Sequence, residues 1–473
     1  MTSTVASQGA VLGDELAALL DPRYVIPGSA ADARFRRDVL GKYAADPAFV
    51  VRPASPQEVS GVMRIAGLHG ASVTVVGGQT GTVGGAIAAP GGIALSLDRM
   101  DKVVAVDTAA MAMTVEAGCI LQVAQEAAEA AGAFLPLDLG SRGSATVGGS
   151  IAANAGGNRV LRWGMLRDMV TGLEVVLADG TVVSSLTPMI KDNAGYAWKH
   201  LMIGSEGTLG IVTRAVLRLR PRPVTDQTAL VALESFDQVI ALLRRLEMRL
   251  GGRLSSFELM WGEFYAVMTR SQRESRSQPM AQGHAFYALV EMLGGDAEND
   301  PDQFMQALAE AIEEGLASDA VIAKSGGERE ALWAVREDMA PALAACHPFL
   351  VYDVSMTLAA MPGFVEAVRA AVLVRYPEAR FLFYGHAGDG NLHIIVNLGR
   401  GSANASGDED TVDALVYGEV ARLGGSIAAE HGIGRSRRAF LHHSRSPEEI
   451  ALMRRIKQAL DPDGLLNPGK VVP

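Results

Sequence analysis

Residues 75–86 read VVGGQTGTVGGA, and what their closely spaced glycines do decides the fold. The residues leading in, SVTVVGG, look like a strand, and IALSL after the loop alternates like another. Upstream, AFVVRP (48–53) reads as a short strand, and SPQE behind it opens a helix. Ser55 is its cap, Pro56 suits the first turn, Glu58 closes a capping box, and the helix should stop near Gly70. Strand, helix, strand, loop is an α/β pattern. The loop is not a Rossmann fingerprint, because it lacks G-x-G-x-x-G and a strand rather than a helix follows; nor is it a Walker A loop. Consecutive glycines can aim several backbone N–H groups at one anion, a nest suited to a pyrophosphate. A flexible tight turn would use the same residues.

Two further stretches share this character. PLDLGSRGSATVGGSIAANAGGN (136–158) reads as a small-residue loop entering a tightly packed helix, and IGSEGTLGI (203–211) lies at a strand end. Three such loops, converging, would wrap a large dinucleotide. MVTGLEVVLADG (169–180) and TLGIVTRAVLRL (208–219) have the β-branched look of paired strands, and RPRPV (220–224) marks a domain boundary. Helical patterns follow at ESFDQVIALLRRLEMRL and DPDQFMQALAEAIEEGL, with HAFYALVEML strand-like. Near the end, SPEEIALMRRIKQALDP repeats the helix-start chemistry, with Ser446 as cap, Pro447 first and Glu449 third. The expected domains are 1–222, 223–425 and 426–473.

A chain of 473 residues, 49% hydrophobic and 20% charged, has the apolar content to build several cores. Its net charge of -11 and lack of polybasic tracts exclude a nucleic-acid or anionic-membrane surface. Only Cys119 and Cys346 are present, so no disulfide framework is expected and a reducing compartment is the simplest context. No signal peptide and no membrane span are legible, which together with the cysteines predicts a cytoplasmic protein.

A second constellation lies in YGHAGDGNLHIIVN (384–397). A helix would hold His386 and His393 about 10 Å apart along its axis, and an extended chain would separate them by roughly 20 Å or more. Only a reversal brings both imidazoles to one ion, and Gly388 with Gly390 is what such a reversal requires. The alternative is that His386 caps a turn and His393 is satisfied inside a strand. AEHGIGRSR (429–437) adds Glu430 and His431 beside another glycine turn. Two histidines and a glutamate form a catalytic divalent-metal set with open positions. A zinc hydrolase activating water would use the same three residues.

The three glycine loops closely resemble, in order and spacing, the FAD-contacting stretches of the vanillyl-alcohol oxidase/p-cresol methylhydroxylase flavoproteins. The resemblance implies an α+β chain with a two-subdomain α/β FAD-binding domain, an α+β substrate cap domain and a short helical C-terminal segment. It further implies that Gly77, Gly78, Gln79, Thr80 and Gly81 line the pyrophosphate, while Gly140, Ser144, Ala145, Gly148, Asn154, Glu206 and Ile211 border the rest of the cofactor. Some relatives tether the flavin to a histidine or cysteine in these loops. Neither stands there in this chain, so FAD is expected without a covalent link. GLLNPGK (464–470) resembles the family's closing motif, in which Asn467 would approach the flavin ring; an ordinary Asn-Pro-Gly turn fits equally.

GHAGDGNLH followed by EHGIG resembles the C-terminal part of FAD-dependent D-2-hydroxy acid dehydrogenases, the group containing the D-lactate and D-2-hydroxyglutarate enzymes. It implies that His386, His393 and Glu430 bind zinc or a similar ion (manganese or iron), that His431 is the base, and that Arg336 in LWAVREDMA holds the α-carboxylate. The reaction would move a hydride from C2 to flavin N5 as the hydroxyl proton leaves. Where those relatives place a lysine and a polar residue for a distal carboxylate, this chain has Val351 and Ile395. A less polar substrate such as D-lactate is therefore expected over a dicarboxylate. D-2-hydroxyglutarate or D-malate dehydrogenase, an oxygen-using FAD oxidase and a non-catalytic flavoprotein are the competing readings. The expected electron acceptor is electron-transferring flavoprotein, a cytochrome or a quinone, with a homodimer as a candidate assembly.

Overall fold

The computed structural model describes residues 2–270, 278–399 and 406–473. The chain divides into two compact units, the first made of Met1–Gly157, Gly164–Arg222 and Glu430–Pro473, the second of Asn158–Trp163 and Pro223–Ala429.

The first unit holds two principal sheets. In the smaller, Val25–Pro27, Phe49–Val51, Ile93–Ser96 and Val73–Val76 lie side by side in that order, with Val25–Pro27 antiparallel and the other three parallel. The helix Pro56–His69 runs between two of the parallel strands, as a βαβ connection demands. Ser55 Oγ accepts from the Glu58 N–H, and Gly70 ends the helix in the left-handed region, φ 60°. The capping box differs slightly from expectation. The Glu58 carboxylate accepts from the N–H of Ala54, one residue outside the cap, at 2.7 Å. Phe35, Val50, Val76, Ala88 and Ala94 form a buried cluster on this sheet.

The larger sheet is antiparallel, in the order Val103–Asp107, Ala112–Glu116, Ile211–Arg218, Val170–Val176, Val182–Ser185. Ile211 pairs with Val176, so the two stretches read as paired strands are direct neighbours. Thr146 caps the helix Val147–Ala153, donor Gly149 N–H to Thr146 Oγ1, and Asn154 closes it at φ 52°. A Cβ on Gly148 would stand 2.6 Å from the Ala117 Cβ, which is why this helix is built from small residues. The C-terminal helix Pro447–Leu460 carries the expected box, Ser446 with Glu449.

The second unit is a seven-stranded antiparallel sheet in the order Asp319–Ile322, Thr225–Leu233, Phe286–Gly294, Leu254–Trp261, Arg380–His386, Asn391–Asn397, Leu350–Ser355. The segment 158–163 belongs to it: Ser256 Oγ donates to the Asn158 carbonyl at 2.6 Å, and Arg159 pairs with Glu291. One face is buried under Gly262–Arg270, Gly326–Glu337 and Ala340–Ala345, through Met260, Phe264, Tyr265, Leu332, Val335, Ala342, Leu382 and Ile395. Among the described residues no helix is long and apolar enough to cross a membrane.

Candidate active site

In the first unit the predicted cofactor residues converge on one another. A Cβ on Gly77 would meet Thr146 Oγ1 at 2.7 Å, and one on Gly78 would fall 2.0 Å from the Ser144 carbonyl oxygen. The first glycine loop therefore lies directly on the second, close to Ser144, Ala145 and the cap of the Gly148 helix. Gln79 follows at φ 55° and donates to the Arg34 carbonyl, with Thr80 and Gly81 continuing the loop. Nothing lies within 4 Å of where a Cβ would stand on Gly81 or on Gly140. Asn154 Oδ1 accepts from the Arg167 N–H at 2.9 Å, and Ile211 is buried at the start of its strand.

The third loop meets the C-terminal segment through Asn467. Its Nδ2 donates to the Glu206 carbonyl at 2.7 Å and to the Gly85 carbonyl at 3.1 Å, while its backbone N–H donates to Val73. Its Oδ1 is buried without a hydrogen-bond partner, and an orphaned buried acceptor is costly unless something donates to it. Gln79, Asn154, Glu206 and Asn467 are all non-glycine residues at positive φ, between 43° and 55°. Such conformations persist where the surroundings over-determine them and gather at ligand clamps. Glycines in close approach, four strained residues and an unmet acceptor fit a bound FAD.

Lys470, which the sequence reading passed over, is buried three residues further on. Its Nζ donates to the Ile87 carbonyl at 2.7 Å, and burial, reinforced by Arg435, pushes its pKa down to about 8. Glu430 and His431 open the last segment of this unit, with the Gly157 N–H donating to Glu430 Oε1 at 2.9 Å.

In the second unit His386 ends one strand and His393 lies in the next, opposite both Tyr384 and Asp353. The reversal is a short 3-10 turn, Ala387–Asp389, closed by Gly390 at φ 81°. Gly390 alone of the two glycines is left-handed; at Gly388 a Cβ would instead crowd the Leu161 side chain at 3.0 Å. The imidazoles stand 5.3 Å apart, centroid to centroid, at 81°.

A single carboxylate organises this half. Glu258 Oε1 accepts from His386 Nδ1 at 2.7 Å, and Glu258 Oε2 lies 2.9 Å from Arg336 Nη2. With Nδ1–H donating to this carboxylate, Nε2 of His386 is the nitrogen left with the lone pair, as a metal-ligating imidazole requires. Asp353 Oδ1 stands 3.7 Å from His393 Nδ1, close enough to pair with its charge but beyond hydrogen-bond range. Arg336 occupies the last turn of its helix, where the dipole favours a cation, and its guanidinium lies 4.7 Å over the Tyr384 ring. Its Nε is buried with no acceptor. Val351 and Ile395 are register partners on adjacent strands, on the face that carries His393 and Asp353. Ile395 is fully buried, whereas Val351 is exposed.

Glu258 and Asn391 were missed from sequence. Glu258 had one signal, a lone acid inside the otherwise uncharged strand LSSFELMW, 1% exposed. Asn391 is buried two residues before His393, and neither atom of its side-chain amide has a partner.

Residues 47–185 match the family described as FAD binding domain, and residues 222–471 match FAD linked oxidases, C-terminal domain. The chain is 39% identical over 441 residues to a D-2-hydroxyglutarate dehydrogenase of Xanthomonas citri pv. viticola, covering 92% of each chain. It is 37% identical over 425 residues to the mitochondrial D-2-hydroxyglutarate dehydrogenase of Bos taurus, covering 90% of this chain and 76% of the relative. Among solved structures it superposes on p-cresol methylhydroxylase with a TM-score of 0.77 at 17% identity, covering 98% of this chain and 96% of that one. An alkyldihydroxyacetonephosphate synthase gives 0.74 at 17%, covering 97% and 86%. These likenesses carry the fold.

Proposed function

The chain belongs to the FAD-linked oxidase family of flavoproteins, and from that premise we propose that it oxidises a D-2-hydroxy acid to the 2-oxo acid. One observation in the molecule carries the reading: a buried carboxylate, Glu258, that orients an imidazole and an arginine together. That pairing serves a substrate presenting a hydroxyl and a carboxylate on neighbouring carbons.

Bound FAD supplies the two-electron acceptor, and a divalent ion, zinc in our proposal, lowers the pKa of the substrate hydroxyl. The residues proposed to hold the ion are His386, His393 and Glu430. Arg336 receives the α-carboxylate, for which its unmet Nε is a ready donor. His431 takes the hydroxyl proton as the C2 hydride departs, so the acid loses one hydride and one proton and becomes the 2-oxo acid. Gly77 to Gly81, Gly140, Ser144, Ala145, Gly148, Asn154, Glu206, Ile211 and Asn467 are proposed to line the cofactor.

Val351 and Ile395 favour a monocarboxylate such as D-lactate. The second reading, D-2-hydroxyglutarate, is favoured by the names of the relatives. Electrons are proposed to pass to electron-transferring flavoprotein, a cytochrome or a quinone. A reducing compartment fits Cys119 and Cys346, both buried and unbridged.

Anaerobic bleaching of the flavin by a panel of D- and L-2-hydroxy acids, before and after chelation, tests the reading. Reduction by D-acids only, lost with the metal, is expected. Reduction by L-acids, or by none, would overturn the function; full bleaching after complete metal removal would overturn the metal role.

A further inference from the structure

We infer that Glu206 is a positioning residue for the catalytic base, holding the loop that carries His431 rather than serving the flavin alone. The inference rests on the assignment of His431 as base, and the test below separates the two.

The geometry lies within the first unit. Glu206 Oε1 accepts from the Ile433 N–H at 2.7 Å and Oε2 from the Gly434 N–H at 2.8 Å. Two successive backbone donors around one carboxylate form a nest, the arrangement that otherwise captures a free anion. Here the anion comes from the third glycine loop, and the nest begins two residues after His431. Gly432, between them, is at φ 81°, and a Cβ there would stand 2.6 Å from Glu206 Oε1. A side chain at that position would expel the carboxylate from its nest.

Glu206 is itself rigidly held. Its backbone is at φ 52°, its N–H donates to the Ala152 carbonyl at 2.8 Å, and its carbonyl accepts from Asn467 Nδ2. The loop is tied at further points, Arg437 Nη1 donating to the Gly432 carbonyl at 3.1 Å and the Arg435 N–H to the Val83 carbonyl at 2.9 Å. Burial pushes the Glu206 carboxyl up, while the two N–H bonds and the cations of Arg437 and Lys470 act against it. An acid kept in so unfavourable a place, with both oxygens committed to one loop, sets where that loop sits. A base must meet its proton at hydrogen-bond range, and a displacement near 1 Å can cost about 100-fold in rate.

The test uses the holoenzyme with Glu206→Gln, whose amide can accept only one of the two N–H groups and presents a donor to the other. Amide exchange at 431–434 should quicken, and rates are taken per bound FAD. In anaerobic single turnover with D-lactate or D-2-hydroxyglutarate, the limiting rate of flavin reduction should fall about 100-fold. The half-saturating acid concentration should stay within about twofold, and the solvent isotope effect should rise as proton removal becomes slower. Gly432→Ala, approached from the other side, should lower the rate too, and the double variant should be no slower than the slower single variant. Unchanged exchange and rate, loss of FAD in proportion to rate, or additive losses in the double variant would each overturn the inference. His431→Gln reducing its flavin at the wild-type rate would remove the base assignment instead, while quickened exchange in Glu206→Gln would still uphold the clamp.

Discussion

Glu258 and Arg336 lie 2.9 Å apart, carboxylate to guanidinium, although strand Leu254–Trp261 and helix Gly326–Glu337 are separated by more than sixty residues of chain. The other oxygen of the same carboxylate holds His386. A buried charge left without its partner is severely penalised, so these three groups keep their places together.

Glu258→Gln should therefore weaken metal retention before it harms the fold. An amide still bonds to an imidazole but no longer increases its basicity, and loss of such an outer partner costs about 10- to 100-fold in metal affinity. Metal content after dialysis against graded chelator measures it. Equal retention by variant and wild type would show that Glu258 has no such role.

Val351 is exposed and stands opposite Ile395 in register, so a longer side chain fits without disturbing the core. Val351→Lys should raise kcat/KM for D-2-hydroxyglutarate relative to D-lactate about tenfold, the worth of one charge-assisted hydrogen bond. Steady-state kinetics on both acids decide it, and an unchanged ratio would refute the placing of the distal carboxylate.

Gly78→Ala would put a Cβ 2.0 Å from the Ser144 carbonyl oxygen, a backbone atom that cannot swing aside. The first and second glycine loops must then part, and the purified protein should lose most of its flavin absorbance. Gly81→Ala, with nothing of the protein within 4 Å, is the contrasting variant, and any flavin it loses reflects the ligand itself.

Burial, and after it the Glu291 carboxylate, raises Asp226 from 3.8 to about 6, although Arg329 and Arg159 act against the shift. The folded pKa lies above the unfolded one, so the stability it contributes is complete below about pH 4 and lost as pH rises through about 6. Asp226→Asn, neutral throughout, should melt with the wild type near pH 4 and a few degrees above it, roughly 2–4 °C, by pH 7.5. Arg329 pairs with Asp226 but is 35% exposed, too solvated to reverse the effect of burial. A variant that melts below wild type at pH 7.5 would show that the pair outweighs burial.

What could be read from the sequence was local. Ser55, Ser446 and Gly70 announce helix ends because capping involves residues three or four apart, and the turn between His386 and His393 follows from strand-like flanks around glycines. Even so, only Gly390 of the two glycines serves that turn through a left-handed backbone; Gly388 is small because it packs against Leu161, which no neighbouring residue reveals. Glu258 was invisible for a related reason: its partners, His386 and Arg336, reach it only through strand register and a helix far along the chain. Asn467 could be marked as a candidate, but its bonds to Gly85 and Glu206 depend on three distant segments closing together.

The left-handed backbone at Gln79, Asn154, Glu206 and Asn467 has a practical consequence for anyone seeking a hardier enzyme. Each of these side chains is kept in a conformation that costs about 1 kcal/mol or more, which glycine would relieve. Glycine at any of them would also forfeit the bonds to Arg34, to Arg167, to Ile433 and Gly434, or to Gly85 and Glu206, so screens that reward heat tolerance should leave these four positions alone and find their gains elsewhere.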